Sequence, residues 1–391
     1  MSVTAAQGFR ATGVVAGLKS TGDRDVALVV NDGPELAAAG VFTSNRVVAA
    51  PVVWSRQVLA DGRAQAVVLN SGGANACTGP DGFADTHRTA EHVADALEAS
   101  AGDVVVCSTG LIGLPLPMDR LLAGVDAAAS GLVADGGHDA ALAIMTTDTT
   151  PKTAVARRSG AGGTWTVGGM AKGAGMLAPG LATMLCVVTT DALADAETLD
   201  RALREATRTT FDRVDSDGCM STNDSVVLLS SGASGQSVSE AELVEALTEV
   251  CAGLARQLVA DAEGASHEIA VTVRNATTED AGVAVARAVT RSNLFKTAIF
   301  GNDPNWGRIL SAVGTVPESV APFDPLTLDV AVNGVQVCRA GGVGEPREGV
   351  DLAGSRDVVV EIDLHAGDAT VTVWTNDLTH DYVHENSAYS S

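Results

Sequence analysis

The sequence predicts an α/β (α+β) protein. Three observations carry that reading. Short apolar runs recur through the chain and end in Gly, Ser, Asn or Thr, as strands entering turns do. Helical stripes of apolar residues at three- and four-residue spacing lie between them. In the last quarter, Asn333-Gly334 stands between Val330/Val332 and Val335/Val337, the pattern of a tight β-hairpin.

Taken in order, strands are expected at 26–31, 41–44, 66–70 and 104–107. A helix between the last two is marked by Ala90, Val93, Ala94 and Leu97. A strand at 185–189 precedes a helix at 198–209, with Leu199, Leu203 and Ala206 on one face, and another strand at 226–229. The best-marked helix follows. Ser239 and Glu242 form a capping box, Leu243, Ala246, Leu247, Val250, Leu254 and Leu258 form the stripe, and Gly264 offers the stop. A strand at 269–273, a helix at 280–289 and a run of strands ending at 370–374 complete the chain. A soft boundary falls near residue 270.

The chain has 391 residues, enough for a large core or two domains, and a formal net charge of -23. Its longest basic run is Arg157-Arg158. Nucleic acid and anionic membrane surfaces, which need Lys/Arg patches, are therefore not expected partners. No apolar run approaches the roughly 20 residues of a membrane span, and the first residues lack a signal-type apolar core. The expectation is a cytoplasmic protein. Cysteines 77, 107, 186, 219, 251 and 338 form no zinc or disulfide pattern and read as reduced, buried residues.

Several motifs are set aside. Lys172-Gly173-Ala174-Gly175 has glycine spacing like a dinucleotide loop, but no strand is expected close before it and Pro179 breaks the helix that should follow. Arg213–Asp224 has Arg and Asp where a calcium loop needs its first and last ligands. His380 and His384 are four apart, but Asp-Tyr-Val between them is a poor helix former and no third ligand is evident. No metal is expected.

Thr183 carries the sharper question. It sits where the glycine-dense stretch 171–182 meets an apolar run. A threonine hydroxyl is a weak nucleophile unless a base stands beside it, and the α-amine of a chain that begins with Thr is such a base. A cut between Ala182 and Thr183 would create it. The other reading is a glycine loop entering a buried strand, with Thr183 filling space. At the end of the run 104–107, Ser108-Thr109-Gly110 can hold an oxyanion through hydroxyl and N–H groups, or be an ordinary turn. Glu263 and Asp261 stand at the C-terminal end of the best helix, where the macrodipole opposes negative charge. They read either as solvated acids or as carboxylates aimed at a cation.

Segments along the whole chain resemble one family: FTSNRVVAAPV (42–52), NSGGANACTG (70–79), STGLIG (108–113), TTDTTPK (146–152), GGMAKGAGMLAPGLATML (168–185), DGCMSTND (217–224), LFKTAIFGNDPNWGRI (294–309) and the terminal YVHENSAYSS. They are similar to the ornithine acetyltransferases (glutamate N-acetyltransferases) of arginine biosynthesis. The resemblance implies a precursor that cuts itself before Thr183 into an α chain, 1–182, and a β chain, 183–391, assembled as an α2β2 heterotetramer. It implies ping-pong transfer of acetyl from N2-acetyl-L-ornithine to L-glutamate through acetyl-Thr183. Thr109 and Gly110 would form the oxyanion hole; Thr146, Lys172, Thr183, Glu263, Asn386 and Ser391 would bind substrate. Thr146 is preferred over Thr147, on the expectation that the two alternate in a strand.

No cofactor is implied, although acetyl-CoA is a possible second acetyl donor, which would add N-acetylglutamate synthesis. The implied fold is an αββα sandwich like the self-processing aminopeptidases, with a C-terminal α/β subdomain. The sequence departs from the family pattern at two places. Gly73 replaces an expected Asn, which could loosen its turn, and Ser390-Ser391 replaces a pair of threonines. Three alternatives stay open: a self-processing aminopeptidase or amidase with water as acceptor, a non-catalytic binding protein, and a secondary-metabolism branch of the same family.

Overall fold

The computed structural model describes residues 2–160, 162–178 and 184–388. The chain forms two compact units. One comprises Met1–Asp212 and Cys219–Asp261, the other Arg213–Gly218 and Ala262–Ser390.

The first unit is built on two sheets. One has the order β1 (Phe9–Val14), β2 (Val26–Asn31), β4 (Ala66–Ser71), β5 (Val104–Thr109), with only β4 and β5 parallel. The other has the order β3 (Ala37–Phe42), β9 (Ser225–Ser230), β8 (Leu185–Thr190), β7 (Gly163–Lys172), β6 (Lys152–Gly160), with only β8 and β9 parallel. Strand alternation explains why the runs are apolar throughout. Ala27, Val29, Val67, Leu69, Val105 and Cys107 face inward and share one core with Met170, Leu185, Val187, Val227 and Leu229 of the second sheet. Their neighbours Val26, Leu28, Val30, Ala66, Val68, Val104 and Val106 face outward. There they pack under α2 (Gly79–Leu97), through Ala90 and Val93, and under α3 (Met118–Ser130), through Leu121 and Val125. On the far side, α5 (Ala196–Thr209) lies on β3, and α6 (Glu240–Ala260) lies on β6 and β7. The layers of this unit are therefore α-β-β-α. Two shorter helices, α1 (Ala50–Val58) and α4 (Gly137–Ala143), flank the inner core.

The second unit is a six-stranded sheet in the order β13 (Gly342–Val343), β12 (Val335–Arg339), β11 (Asp329–Val332), β14 (Asp357–Asp363), β10 (Glu268–Ala276), β15 (Ala369–Asn376). One face is covered by α7 (Glu279–Thr290), α8 (Asn293–Phe300) and α9 (Trp306–Val313) around Ile269, Val271, Val360, Ile362 and Val373. The last helix, α10, runs His380–Ala388. Asn333 and Gly334 take φ values of 47° and 82°, the left-handed pair that a two-residue hairpin needs, and Val332 pairs with Val335.

The capping box is present. Ser239 Oγ accepts from the Glu242 N–H, and the Glu242 carboxylate accepts from the Ser239 N–H at 2.9 Å. Other expectations are corrected. The helix stops at Ala260 with Asp261 as its cap. Gly264, at φ +61°, serves instead a close approach, because a Cβ there would lie 2.2 Å from the Tyr382 nitrogen. β3 lies earlier than expected, over Ala37–Phe42. A strand does precede Lys172-Gly173 directly, since β7 ends at Lys172; among the described residues 173–178 no helix follows it. His380 and His384 do share a helix, but among the described residues no group of three or more His, Cys, Asp or Glu side chains could hold a metal. Cys107, Cys186, Cys251 and Cys338 are buried as expected, whereas Cys77 and Cys219 are exposed, and all six are free thiols. No helix among the described residues is long and apolar enough to cross a membrane.

Candidate active site

β5 ends at Thr109, and the chain then turns through Gly110 at φ +128°. The turn is clamped. The Thr109 carbonyl accepts from the N–H of Gly72 at 2.9 Å and of Gly73 at 3.0 Å. Asn70 Nδ2 donates to the Gly73 carbonyl at 3.1 Å, so Gly73, expected to loosen this turn, is held at both its polar groups. Asn223 Nδ2 donates to the carbonyls of Ala74, at 2.6 Å, and Ser108, at 2.9 Å, tying the DGCMSTND segment to the same place.

Lys172 is the last residue of β7 and is 2 % exposed. Its Nζ donates to Thr109 Oγ1 at 3.2 Å. That bond fixes the hydroxyl's role. The oxygen accepts from the ammonium, so its own hydrogen stays available for another acceptor. The Thr109 hydroxyl and the N–H of Gly110, the next residue, are the two donor groups that this turn offers to a developing oxyanion.

Asp148 organises the surroundings. Its Oδ1 accepts from Lys152 Nζ and from the Gly173 N–H, each at 2.6 Å, and its Oδ2 accepts from the Thr146 N–H at 2.9 Å. Burial alone pushes the carboxyl up. Lys172, Lys152 and the Thr146 N–H outweigh it and hold Asp148 down at about 2. Lys152 also donates to Asp261 Oδ2 at 2.6 Å. Asp261 is therefore neither solvated nor aimed at a ligand; an internal lysine neutralises it. Thr146 and Thr147 lie in a bend after α4, not in a strand, so strand alternation does not decide between them. The Thr146 amide is joined to Asp148.

Since the folded Asp148 carboxyl stays near 2 against an ordinary value of 3.8, its stabilising effect is complete above about pH 4 and is lost as pH falls toward 2. The shift corresponds to about 2 kcal/mol. The stability gap between the parent and Asp148→Asn, measured by urea unfolding, should narrow by about 1 kcal/mol from pH 5 to pH 3. A gap constant with pH would show that the charge of Asp148 contributes nothing.

Near the expected cleavage point, the Met184 N–H donates to Asp224 Oδ1 at 3.0 Å. Asp224 is fully buried, and burial pushes its carboxyl well above the usual range. Ala174, Leu177, Ala178 and Met184, on either side of 179–183, are all buried. Ala182, Thr183 and Ser391 themselves lie outside the described residues.

In the second unit, Asn386 Nδ2 donates to Glu263 Oε2 at 2.9 Å. Glu263 lines a cleft of about 340 Å³ with Asp217, Lys296, Asp377 and Tyr382. Lys296, 6 % exposed, donates to the Ser216 carbonyl, and burial lowers its pKa.

Six of the expected residues thus fall into two local groups. Thr109, Gly110, Lys172 and, through Asp148, Thr146 belong to the first unit; Glu263 and Asn386 belong to the second. Asp148, Lys152, Asn223 and Asp224 were not singled out from the sequence as site residues. Their only signal was membership in the TTDTTPK and DGCMSTND segments.

A buried lysine holding a hydroxyl at a strand-end turn, on an αββα frame, is an arrangement that acyl-transfer chemistry can use. The ArgJ family model matches residues 10–391. The arginine biosynthesis bifunctional protein ArgJ of Streptomyces coelicolor is 65 % identical over 391 residues, covering all of both chains. Its counterpart from Thermobifida fusca is 61 % identical, again over the whole of both. A crystal structure of ornithine acetyltransferase complexed with ornithine, from Mycobacterium tuberculosis, is 59 % identical; the match covers 47 % of this chain and 96 % of that one, with a TM-score of 0.44. The chain belongs to the ArgJ family.

Proposed function

We infer that this chain is an acetyltransferase of arginine biosynthesis, moving acetyl from N2-acetyl-L-ornithine to L-glutamate. The observation that carries the reading at the site is the Lys172 Nζ–Thr109 Oγ1 bond at 3.2 Å beside Gly110. Identity along the whole length of the curated relatives supports the reaction.

In this reading the peptide between Ala182 and Thr183 is cut by the chain itself. The Thr183 hydroxyl attacks the Ala182 carbonyl, the C–N bond gives way to an ester, and water hydrolyses it. The α chain is then 1–182 and the β chain 183–391. The free α-amine of Thr183 takes the hydroxyl proton as Oγ attacks the acetyl carbonyl, and passes it to the departing ornithine nitrogen. The amine of glutamate attacks the acetyl ester, and a proton returns to Oγ. Thr109 and Gly110 stabilise the oxyanion in both halves. Lys172 faces the substrate carboxylate, Glu263 the cationic amine of ornithine, and Thr146, Asn386 and Ser391 complete the contacts. No cofactor is required; acetyl-CoA is the candidate second donor. Assembly as α2β2 in the cytoplasm belongs to the same reading.

The test begins with intact masses under denaturing conditions. The parent should give two fragments, the second starting at Thr183, and Thr183→Ala one uncut chain. The parent should transfer acetyl from N-acetylornithine to glutamate, and Thr183→Ala should lose at least about 10³-fold of that rate. Free acetate as the main product would replace the transferase with a hydrolase. An arm with acetyl-CoA and glutamate reads the second donor.

A further inference from the structure

We propose that Asp148 is a positioning residue that sets Thr146 and Lys172 in a single orientation toward the substrate. The proposal rests on the reading above for what those two residues bind.

A buried aspartate beside a buried lysine is ordinarily a charge pair, and Asp148 with Lys152 satisfies that description. One carboxylate oxygen would suffice for it. The arrangement found here does more. Oδ1 accepts from the Gly173 N–H as well as from Lys152, and Oδ2 accepts from the Thr146 N–H. The β7–β8 ladder ends at the pair Lys172–Leu185, so Gly173 is the first amide beyond it. By taking that amide, Asp148 fixes where β7 stops and therefore where the Lys172 side chain leaves the backbone. The second oxygen fixes Thr146 in a bend that has no ladder of its own. The carboxylate so joins the amides of residues 146 and 173, which lie in two separate chain segments.

Only an ionised aspartate can do this. It is acceptor-only at both oxygens, whereas asparagine offers one acceptor and an NH2 that would face one of the two amides. The charges also close locally. Lys152 is shared between Asp148 and Asp261, and Lys172 lies close enough to lower the Asp148 carboxyl. Removing Asp148 therefore alters both charge balance and orientation, and the two effects can be separated. In the double variant Asp148→Asn/Lys152→Met one charge of each sign is lost, so the net charge returns, with Asp261 left to its Thr149 and Thr150 donors, but the twin acceptor does not.

The experiment compares the parent, Asp148→Asn and the double variant. It measures melting temperature, kcat and KM for N-acetylornithine. The single variant should lose melting temperature and raise KM at least about tenfold, since misplaced binding groups commonly cost up to about 100-fold. The double variant should recover only part of the melting temperature, because Asp261 also loses Lys152, and should keep the raised KM. Recovery of KM together with stability would reduce Asp148 to a charge partner of Lys152. A KM within twofold of the parent in the single variant would overturn the proposal directly.

If a variant does not mature, the same comparison is made by calorimetric binding of N-acetylornithine in the Thr183→Ala background. A tenfold weaker Kd that the added Lys152→Met does not restore is the supporting result; an unchanged or restored Kd overturns the proposal. A parent that transfers no acetyl fails the functional reading, whereas a competent parent with unaffected variants fails the positioning alone.

Discussion

Lys172→Met should lower kcat/KM for N-acetylornithine by about 10³-fold while leaving a folded, less stable protein. Two contributions act together. Lys172 is a buried cation 3.2 Å from Thr109 Oγ1, in the turn proposed as the oxyanion hole, and the proposed partner of the substrate carboxylate. Truncating one member of a buried charged pair costs 2–5 kcal/mol or more, about 30-fold to several thousandfold in affinity. Lys172 is also one of two lysines that hold the Asp148 carboxyl low. Without it Asp148 keeps only Lys152 and its backbone donors, so the melting temperature should fall as well. Lys172→Arg keeps the charge but not the compact ammonium, and should fall between parent and Met variant. Steady-state kinetics on cleaved protein decide the matter. A Met variant within tenfold of the parent would exclude Lys172 from substrate binding.

Gly110→Ala should abolish detectable transfer. A Cβ at this position would sit 2.6 Å from the Gly73 nitrogen and 2.8 Å from the Gly72 carbonyl carbon. Neither can retreat freely, because the amides of Gly72 and Gly73 both donate to the Thr109 carbonyl. The backbone at φ +128° is also one that alanine avoids. The turn must open, and the Gly110 N–H must leave its aim. Loss of one oxyanion donor alone costs about 10²–10³ in kcat; displacement of Thr109 as well should exceed that. Thr109→Ser, which keeps the hydroxyl, should retain most activity. If Gly110→Ala transfers acetyl at the parental rate, this turn is not the oxyanion hole.

The strands of the central layers were legible because they are buried on both faces. A strand between two cores needs apolar residues at every position, and the runs Val26–Val30 and Ala66–Leu69 have them. The capping box and the Asn-Gly hairpin were legible because their chemistry is local. β3 was misplaced because Ala37-Ala38-Ala39-Gly40 has no β-branched residue; it is a strand through its pairing with β9. The β6–β7 hairpin escaped notice for a similar reason, its glycines at 160, 162, 163, 168 and 169 reading as loop. Thr146 was assigned to a strand that does not form, because two threonines carry β-propensity but find no ladder there.

Site residues divide along the same line. Thr109, Gly110, Lys172, Thr183 and Glu263 were found from residue type, local context and resemblance to a family. Asp148 and Lys152 were not, and Asp261 was noticed only as an acid at a helix end. An aspartate in a run of threonines looks like a polar turn. Its two oxygens reach amides at 146 and 173, and its lysine reaches an acid at 261.

The sequence by itself determined the family, the layered α/β character and the identity of the nucleophile candidate, because those depend on residue type and local order. Only the tertiary structure decided where β7 ends, which oxygen of Asp148 serves which segment, and that Asp261 is neutralised from within. Those facts depend on burial and on distances between residues far apart in the chain. A buried charge must find its partners wherever the fold brings them, and chain order does not say where that is.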